Sequence, residues 1–194
     1  MTLQRLTVFC GSNSGNDPSY SSHAAALGCA LAEHRIGLVY GGTKIGLMGI
    51  VADAVLKNGG EVIGVLPAFL KEKEIAHDQL TELILVDSMH ERKRRMNELC
   101  DGVIALPGGF GTLDELFEML TWAQLGIHKK PIGLYNVDGF YNGLCAHMDT
   151  MVRCGFLKES HRQMLLVSDD VTVLLDQMAR YRAPADNKWI SPAS

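Results

Sequence analysis

The sequence lacks long apolar runs and an excess of basic charge. No stretch approaches the ~20 apolar residues of a membrane-spanning helix, and the first residues lead into a strand-like run rather than a secretion signal. Acidic residues outnumber lysine and arginine, 22 against 18, for a net charge of -4. Nucleic acids and anionic membranes are bound by basic surfaces, so neither is an expected partner. We therefore expect a cytoplasmic protein.

Metal-binding and standard phosphate-binding motifs are also missing. The five cysteines and seven histidines form no Cys-x-x-Cys or His-x-x-x-His pair, so the cysteines are predicted to be core thiols and no metal site is expected. The P-loop sequence Gly-Lys-Ser/Thr is absent, and Asp114 stands where the dinucleotide fingerprint requires a third glycine. Neither a kinase nor a nicotinamide dehydrogenase is expected.

What the sequence has is a regular alternation of short apolar runs and helical patterns. Seven runs are predicted as strands, at 6–10, 38–40, 62–66, 83–86, 103–106, 132–135 and 165–167. Apolar residues recur at helical spacing over 18–34, 46–59, 88–100, 112–126, 139–154 and 169–180. Continuous apolar strands separated by helices are typical of a parallel sheet covered on both faces. We predict one doubly wound α/β domain over residues 1–182 and a loosely packed tail over 183–194.

Three glycine-rich turns follow predicted strands, at residues 10–15, 40–49 and 107–112. In a doubly wound sheet, ligands bind beyond the carboxyl ends of the strands. Glycine lets the backbone approach a ligand closely, and the N-terminus of the following helix attracts phosphate. The turn at 107–112 fits a phosphate site best, although glycines also serve simply to make tight turns.

Two charged residues are predicted at the same edge of the sheet. Arg92 begins the helix after the fourth strand and Glu115 lies in the first turn of the next helix, so both face the crevice if those strands adjoin. That position helps to keep the Glu115 carboxylate ionised. Glu115 has a second interpretation, because Thr112-x-x-Glu115 has the capping-box pattern, in which the carboxylate binds the helix's own N–H groups. Ser88-x-x-Glu91 has the same pattern.

The run Arg92-Lys93-Arg94-Arg95 puts four cations near a helix start, where the helix dipole disfavours them. A charge run is usually a solvated face, which is the interpretation favoured for Arg94 and Arg95. Arg92, nearer the helix start, is predicted either to hold a phosphate or to pair with Glu115.

Several motifs resemble those of the Lonely Guy family, the cytokinin-activating nucleotide phosphoribohydrolases once labelled lysine decarboxylases. The resemblance covers about residues 5–160. Its motifs are Met89-His90-x-Arg92-Lys93, residues 107–115 and 121–126, Lys130-Pro131, residues 136–141, and the glycine turns at 40–42 and 46–49. Phe110 stands where the family often has tyrosine.

The resemblance implies a Rossmann-like homodimer that needs no cofactor. Such an enzyme cleaves nucleoside 5′-monophosphates, including cytokinin riboside monophosphates and often AMP, into free base and ribose 5-phosphate. The family's catalytic pair falls on Arg92 and Glu115. Its nucleotide-binding positions fall on Glu74, Lys93, Gly108, Gly109, Phe110, Gly111, Thr112, Leu113, Asp114 and Thr121. An ionised Glu115 would then stabilise positive charge on the ribose or activate water, while the glycine turn anchors the phosphate.

Two other functions are compatible with the same pattern. Carriers of the molybdenum cofactor have a similar fold and bind an anionic ligand without turnover, although Arg92 and Glu115 together favour a hydrolase. A decarboxylase would need a Schiff-base lysine for pyridoxal phosphate, and only Lys44 and Lys93 lie near the predicted crevice.

Overall fold

Seven strands form one parallel sheet in the structure, a computed structural model that describes residues 2–71 and 76–184. The strands are β1 (Arg5–Phe9), β2 (Gly37–Tyr40), β3 (Val62–Pro67), β4 (Glu82–Val86), β5 (Gly102–Ala105), β6 (Ile132–Tyr135) and β7 (Leu165–Ser168). Their spatial order is β4-β3-β2-β1-β5-β6-β7, and every neighbouring pair is parallel. The predicted strands and the α/β class are confirmed.

Helices connect most of the strands and confirm the six predicted helical segments. They are α1 (Pro18–Glu33), α2 (Gly46–Lys57), α3 (Met89–Glu98), α4 (Phe110–Gln124), α5 (Asn142–Arg153), α6 (Glu159–Arg162) and α7 (Val171–Arg180). The sequence did not predict α6, because a single helical turn is too short for a periodic pattern. In its described part, the connection from β3 to β4 contains only the 3-10 turn Ala68–Leu70.

The core lies in two layers because successive strand residues point to opposite faces of the sheet. In β1, Leu6 and Val8 pack with α1, α2 and α7, whereas Phe9 packs with α3, α4 and α5. Thr7, which points to the same face of the sheet as Phe9, is buried, and its hydroxyl donates a hydrogen bond to the Met96 carbonyl at 3.0 Å. This contact ties the end of α3 to the central strand, so the helix that carries Arg92 is fixed against the sheet.

The order of strands reverses between β1 and β5, and the crevice of a doubly wound fold opens at such a point. The condition that the fourth and fifth strands adjoin is not met, because β3, β2 and β1 lie between β4 and β5. Helix α3 instead crosses back over the sheet and contacts β3. Arg92 therefore reaches the crevice from across the sheet rather than from a neighbouring strand.

Of the predicted tail, the structure describes only Ala183 and Pro184, and residues 185–194 lie outside the described part. Within that part, no helix combines the length and the apolar character needed to cross a bilayer.

Candidate active site

A crevice with a volume of about 510 Å³ opens where the strand order reverses. Its wall is built mainly from the turns after β1 and β5 and from the first residues of α1, α2, α3 and α4. The lining residues are Cys10, Gly11, Ser12, Asn13, Ser14, Gly15, Tyr20, Leu47, Met48, Leu70, Met89, Arg92, Pro107, Gly108, Gly109, Phe110, Gly111, Thr112, Asp114, Glu115 and Phe140.

Hydrogen bonds hold the turns after β1 and β5 against each other. The Gly11 N–H donates to the Pro107 carbonyl at 3.0 Å, and the Gly11 carbonyl accepts from the Leu47 N–H at 3.1 Å. On the far side, the buried Tyr141 hydroxyl donates to the Leu106 carbonyl at 2.7 Å. The floor of the crevice is therefore assembled before any ligand arrives, which lowers the entropic cost of binding.

Helix α4 begins without a side-chain cap. Its N-cap is Gly109, and no side chain in the described ranges accepts a hydrogen bond there. Thr112 is the third residue inside the helix, so the capping-box interpretation of Thr112-x-x-Glu115 is wrong, and Glu115 lies in the second turn rather than the first. The first N–H groups of α4 border the crevice without a side-chain acceptor, which is the arrangement that binds phosphate at a helix N-terminus.

The glycines of this turn serve different purposes. A Cβ at Gly108 would lie 2.1 Å from the Thr112 hydroxyl, so packing alone requires glycine there. By contrast, a Cβ at Gly109 or Gly111 would meet no atom within 4 Å, and neither residue has a positive φ. The tight-turn interpretation does not hold for these two glycines. Their missing side chains leave open space at the helix N-terminus.

Arg92 is a buried cation without an ionic partner in the described part of the chain. The residue is 7% exposed, and one of its Nη atoms donates to the Gly41 carbonyl at 3.4 Å. Its Nε has no hydrogen-bond partner, and it forms no ion pair with Glu115. A buried, uncompensated guanidinium is costly to a folded protein, so this arrangement favours an anionic ligand over the pairing considered from the sequence.

The glycine turn after β2 makes room for Arg92. A Cβ at Gly41 would lie 2.1 Å from an Nη atom of Arg92. The sequence singled out this turn as a candidate phosphate loop, but its glycine instead accommodates the arginine. This role could not be inferred from the sequence, because the two residues are 51 positions apart.

Glu115 occupies the crevice wall beside Arg92. Burial raises the pKa of its carboxyl to about 7, against an opposing effect of Arg92 and with a further increase from Asp114. The expectation that its position keeps Glu115 ionised is therefore wrong, because burial outweighs the favourable charges. At neutral pH the carboxyl is close to its titration midpoint, which suits a group that both accepts and donates a proton.

Cys10 lies on the floor of the same crevice and was not singled out from the sequence for any role. Burial, with a smaller effect of the Glu115 carboxylate, raises the pKa of its thiol far above the usual range. Cys10 is therefore a neutral thiol, and it contributes to the low polarity around Glu115.

Several residues that the family resemblance assigned to nucleotide binding lie outside the crevice. The Lys93 ammonium lies 3.1 Å from both the Asp114 and the Glu118 carboxylates. Thr121 donates to the Phe117 carbonyl within α4 at 2.7 Å. A shallow second pocket on the outer side of α4 is lined by Phe110, Leu113, Asp114, Phe117, Glu118, Thr121 and Trp122. Phe110 and Asp114 border both pockets, and Glu74 lies outside the described residues.

The remaining arginines of α3 lie on a solvated face, as the sequence predicted. Arg94 and Arg95 are exposed, and both form ion pairs with Glu98 on the same helix, at 3.8 and 3.2 Å. Neither lines the crevice. Exposed pairs of this kind contribute little to stability, so the prediction of a solvated face is confirmed for these two residues.

An aromatic wall at the far end of the crevice was missed by the sequence interpretation. The rings of Tyr20 and Phe140 meet edge to face with centroids 5.8 Å apart, and Phe140 remains 45% exposed. A Cβ at Gly15 would lie 2.7 Å from the Tyr20 ring, so the turn after β1 needs glycine to accommodate this wall. The motif at residues 136–141 was noted as a family signature, but its distance in sequence from Tyr20 concealed the pairing.

Comparisons with known proteins identify the family of this chain. A family model described as "possible lysine decarboxylase" matches residues 48–178. Cytokinin riboside 5′-monophosphate phosphoribohydrolase LOG7 of Arabidopsis thaliana is 47% identical over 184 residues, which are 95% of this chain and 85% of that protein. A probable phosphoribohydrolase of the same description, LOGL9 of Oryza sativa subsp. japonica, is 48% identical over 179 residues, covering 92% of this chain and 79% of its own.

Solved structures match the fold at lower identity. The molybdenum cofactor carrier protein of Chlamydomonas reinhardtii superposes with a TM-score of 0.70 at 19% identity, covering 91% of this chain and 98% of its own. The molybdenum cofactor binding protein of Rippkaea orientalis gives a TM-score of 0.68 at 22% identity, with 92% and 97% covered. These likenesses support the Rossmann-like architecture and carry no information about the ligand.

Proposed function

Because this chain belongs to the Lonely Guy family of phosphoribohydrolases, we propose that it hydrolyses the N-glycosidic bond of nucleoside 5′-monophosphates. The products are free base and ribose 5-phosphate, and the substrates include cytokinin riboside 5′-monophosphates and AMP. One observation supports this most strongly. Arg92, which has no ion pair among the described residues, and the protonatable Glu115 line the same crevice as the uncapped start of α4.

The 5′-phosphate binds at the N-terminus of α4. Unpaired N–H groups and the helix dipole favour an anion there, and Gly109 and Gly111 leave the space for it. Arg92 supplies the full positive charge that these partial charges lack, and it points into the crevice from α3. Binding energy from the phosphate then positions the sugar, which does not itself carry a charge.

Glu115 acts on the bond that breaks. As the C1′–N bond lengthens, its electron pair leaves with the base and positive charge develops on the ribose, so an ionised carboxylate stabilises the transition state. Water adds to C1′ and gives a proton to the carboxylate, which then passes this proton to the anionic nitrogen of the released base. A carboxyl with a pKa of about 7 can accept a proton and release it again within one turnover.

The base lies toward Tyr20 and Phe140. Aromatic rings and the side chains of the turn after β1 line that part of the crevice, and planar bases stack well on aromatic side chains. The half-exposed Phe140 ring also offers an apolar contact for a substituent on the base. This wall is fixed, since the Ser19 hydroxyl of α1 donates to the Asp138 carboxylate at 2.6 Å, which joins the two segments.

A cytoplasmic homodimer is part of the proposal. Apolar side chains of α4 reach the surface around the second pocket, and Phe110 is 94% exposed. Thr121 and Leu113, which the resemblance assigned to the nucleotide, lie on this surface and not in the crevice of their own subunit. Pairing two copies through α4 would bury the surface and bring these residues near a partner's site. Light scattering that gives only a monomer would contradict this.

The decarboxylase label does not fit the crevice. No lysine among the described residues lines it, whereas pyridoxal phosphate needs one for its Schiff base. Lys93 is held between two carboxylates that, despite its burial, raise the pKa of its ammonium, so it is a poor amine nucleophile. Lys44 is exposed, and its Nζ lies 3.7 Å from the Oδ2 atom of Asp78.

Chromatographic measurement of free base tests the proposal. Purified protein should release base from AMP and from isopentenyladenosine monophosphate, and should act poorly on adenosine, which lacks the phosphate. Arg92→Gln should lose at least about tenfold in kcat/KM, whereas Arg94→Gln, a matched change of an exposed cation, should retain native activity. Bound nucleotide without release of base from any monophosphate would favour a carrier.

A further inference from the structure

Lys93 connects two helices beside the reacting carboxylate. Its side chain is 10% exposed and extends from α3 to α4, where its Nζ lies 3.1 Å from an oxygen of Asp114 and 3.1 Å from an oxygen of Glu118. The same ammonium therefore serves two carboxylates. It does not line the crevice, in contrast to Arg92 next to it in sequence.

The two carboxylates held by Lys93 flank Glu115 on its own helix. Asp114 precedes it and Glu118 follows one turn later. Apart from burial, four charged groups act on the Glu115 carboxyl: Arg92 and Lys93 favour its ionised form, whereas Asp114 and Glu118 disfavour it. The remaining titratable group nearby is the Cys10 thiol in the turn after β1, which stays neutral. Lys93 is thus the only one of these groups that contacts both competing carboxylates.

We propose that Lys93 is a positioning residue that pairs with both Asp114 and Glu118 and offsets one of their two negative charges, so that the Glu115 carboxyl can ionise beside the substrate. It acts through these two carboxylates and not as a ligand of the phosphate. The inference rests on the proposed function, because it takes Glu115 as the reacting group.

Loss of Lys93 has a definite electrostatic consequence. Without the ammonium, only Arg92 opposes the effect of Asp114 and Glu118 on the Glu115 carboxyl, and like charges hold a carboxyl in its protonated form. The pKa of Glu115 therefore rises in Lys93→Met, and the ionised fraction at neutral pH falls. Glu118→Gln removes one of the like charges, so it has the opposite effect. Lys93→Arg keeps the positive charge, so the pKa of Glu115 should stay close to its native value.

Carbon-13 NMR titration of the Glu115 carboxyl in the ligand-free protein tests this without turnover. The midpoint should rise by about one pH unit in Lys93→Met, fall in Glu118→Gln, and return toward the native value in the double variant. Arg94→Met is the matched control, since Arg94 is exposed and pairs only with Glu98, and its midpoint should not move. If the Glu115 midpoint is unchanged in Lys93→Met and is also unchanged in Glu118→Gln, the inference is overturned.

Kinetics separate positioning from ligand binding. The pH profile of kcat for AMP should shift to higher pH in Lys93→Met, with recovery of rate in alkaline buffer and little change in KM. An increase in KM for AMP with an unchanged profile would make Lys93 a phosphate ligand and refute the proposal. If the native protein releases no base while the NMR midpoints move as stated, the proposed function fails and the role of Lys93 stands.

Discussion

Helix α3 begins with a side-chain cap, whereas helix α4 begins without one. At α3, the Ser88 hydroxyl accepts from the Glu91 N–H at 3.1 Å, and the Glu91 carboxylate accepts from the Asp87 N–H at 2.9 Å. At α4, Gly109 offers no cap, and Glu115 lines the crevice. The same Ser/Thr-x-x-Glu pattern therefore stabilises one helix and leaves the other free to bind an anion. Local rules of this kind are most often broken at functional sites.

Replacing each of the two glutamates, Glu115 and Glu91, with glutamine should give the largest difference between the two helices. Glu115→Gln should lower kcat by at least about 10²-fold, because the variant can neither stabilise charge on the ribose nor exchange a proton. Glu91→Gln should stay within about twofold of native, because its carboxylate serves only the helix start. Release of adenine from AMP measures both. Comparable rates in the two variants would remove Glu115 from the reaction.

The pH dependence of stability should also distinguish the two glutamates. Burial raises the pKa of Glu115 from 4.5 to about 7, so the folded state favours the protonated form. The stability from this preference is fully present below about pH 4.5 and is lost as the pH rises through 7. Relative to native protein, Glu115→Gln should therefore gain about 1–3 kcal/mol of unfolding free energy between pH 5 and pH 8. Urea unfolding at both pH values checks this, and Glu91→Gln should show no such gain.

A methyl group at the start of α4 tests whether the phosphate binds there. Gly111→Ala adds a Cβ that meets no protein atom within 4 Å, and alanine favours helix, so stability should hold or rise by up to about 1 kcal/mol. The KM for AMP should nevertheless rise about tenfold, a loss of about 1.4 kcal/mol, because the methyl occupies the phosphate space.

Gly143→Ala is the matched control for this change. Gly143 is likewise the second residue of its helix, and a Cβ there meets no atom within 4 Å. The control should leave KM unchanged. If Gly111→Ala also left KM unchanged, the phosphate could not lie at the start of α4.

The cap of α3 gives the smallest expected effect. Ser88→Ala removes the acceptor of the Glu91 N–H, which should cost about 1 kcal/mol of stability. Turnover should remain within about twofold of native, because Ser88 does not line the crevice. Urea unfolding together with the base-release assay measures both quantities. A large loss of activity at unchanged stability would show that Ser88 belongs to the site.

The elements were predictable from the sequence because apolar runs and helical spacing are local properties. The order of strands was not, because the pairing of β1 with β5 depends on contacts far apart in the chain. The start of α4 illustrates how a small error changes a conclusion. The helix begins at Phe110, two residues before the predicted start at 112, and this shift turns an apparent capping box into an open N-terminus.

The candidate site was predictable only in part. Glycine-rich turns and paired charges indicated where the crevice lies, and Arg92 and Glu115 both line it. The pKa of Glu115 could not be inferred, since the groups around it come from the turn after β1, from α3 and from α4. The aromatic wall of Tyr20 and Phe140 needed the contact between α1 and the turn after β6.

The close fit of Gly41 around Arg92 couples the choice of residue at these two positions. A side chain at 41 would occupy the volume of the guanidinium, so the end of Arg92 would have to move away from the Gly41 carbonyl. A substitution at 41 therefore acts on the position of the cation in the crevice, and we expect glycine to be retained there for as long as the arginine is needed.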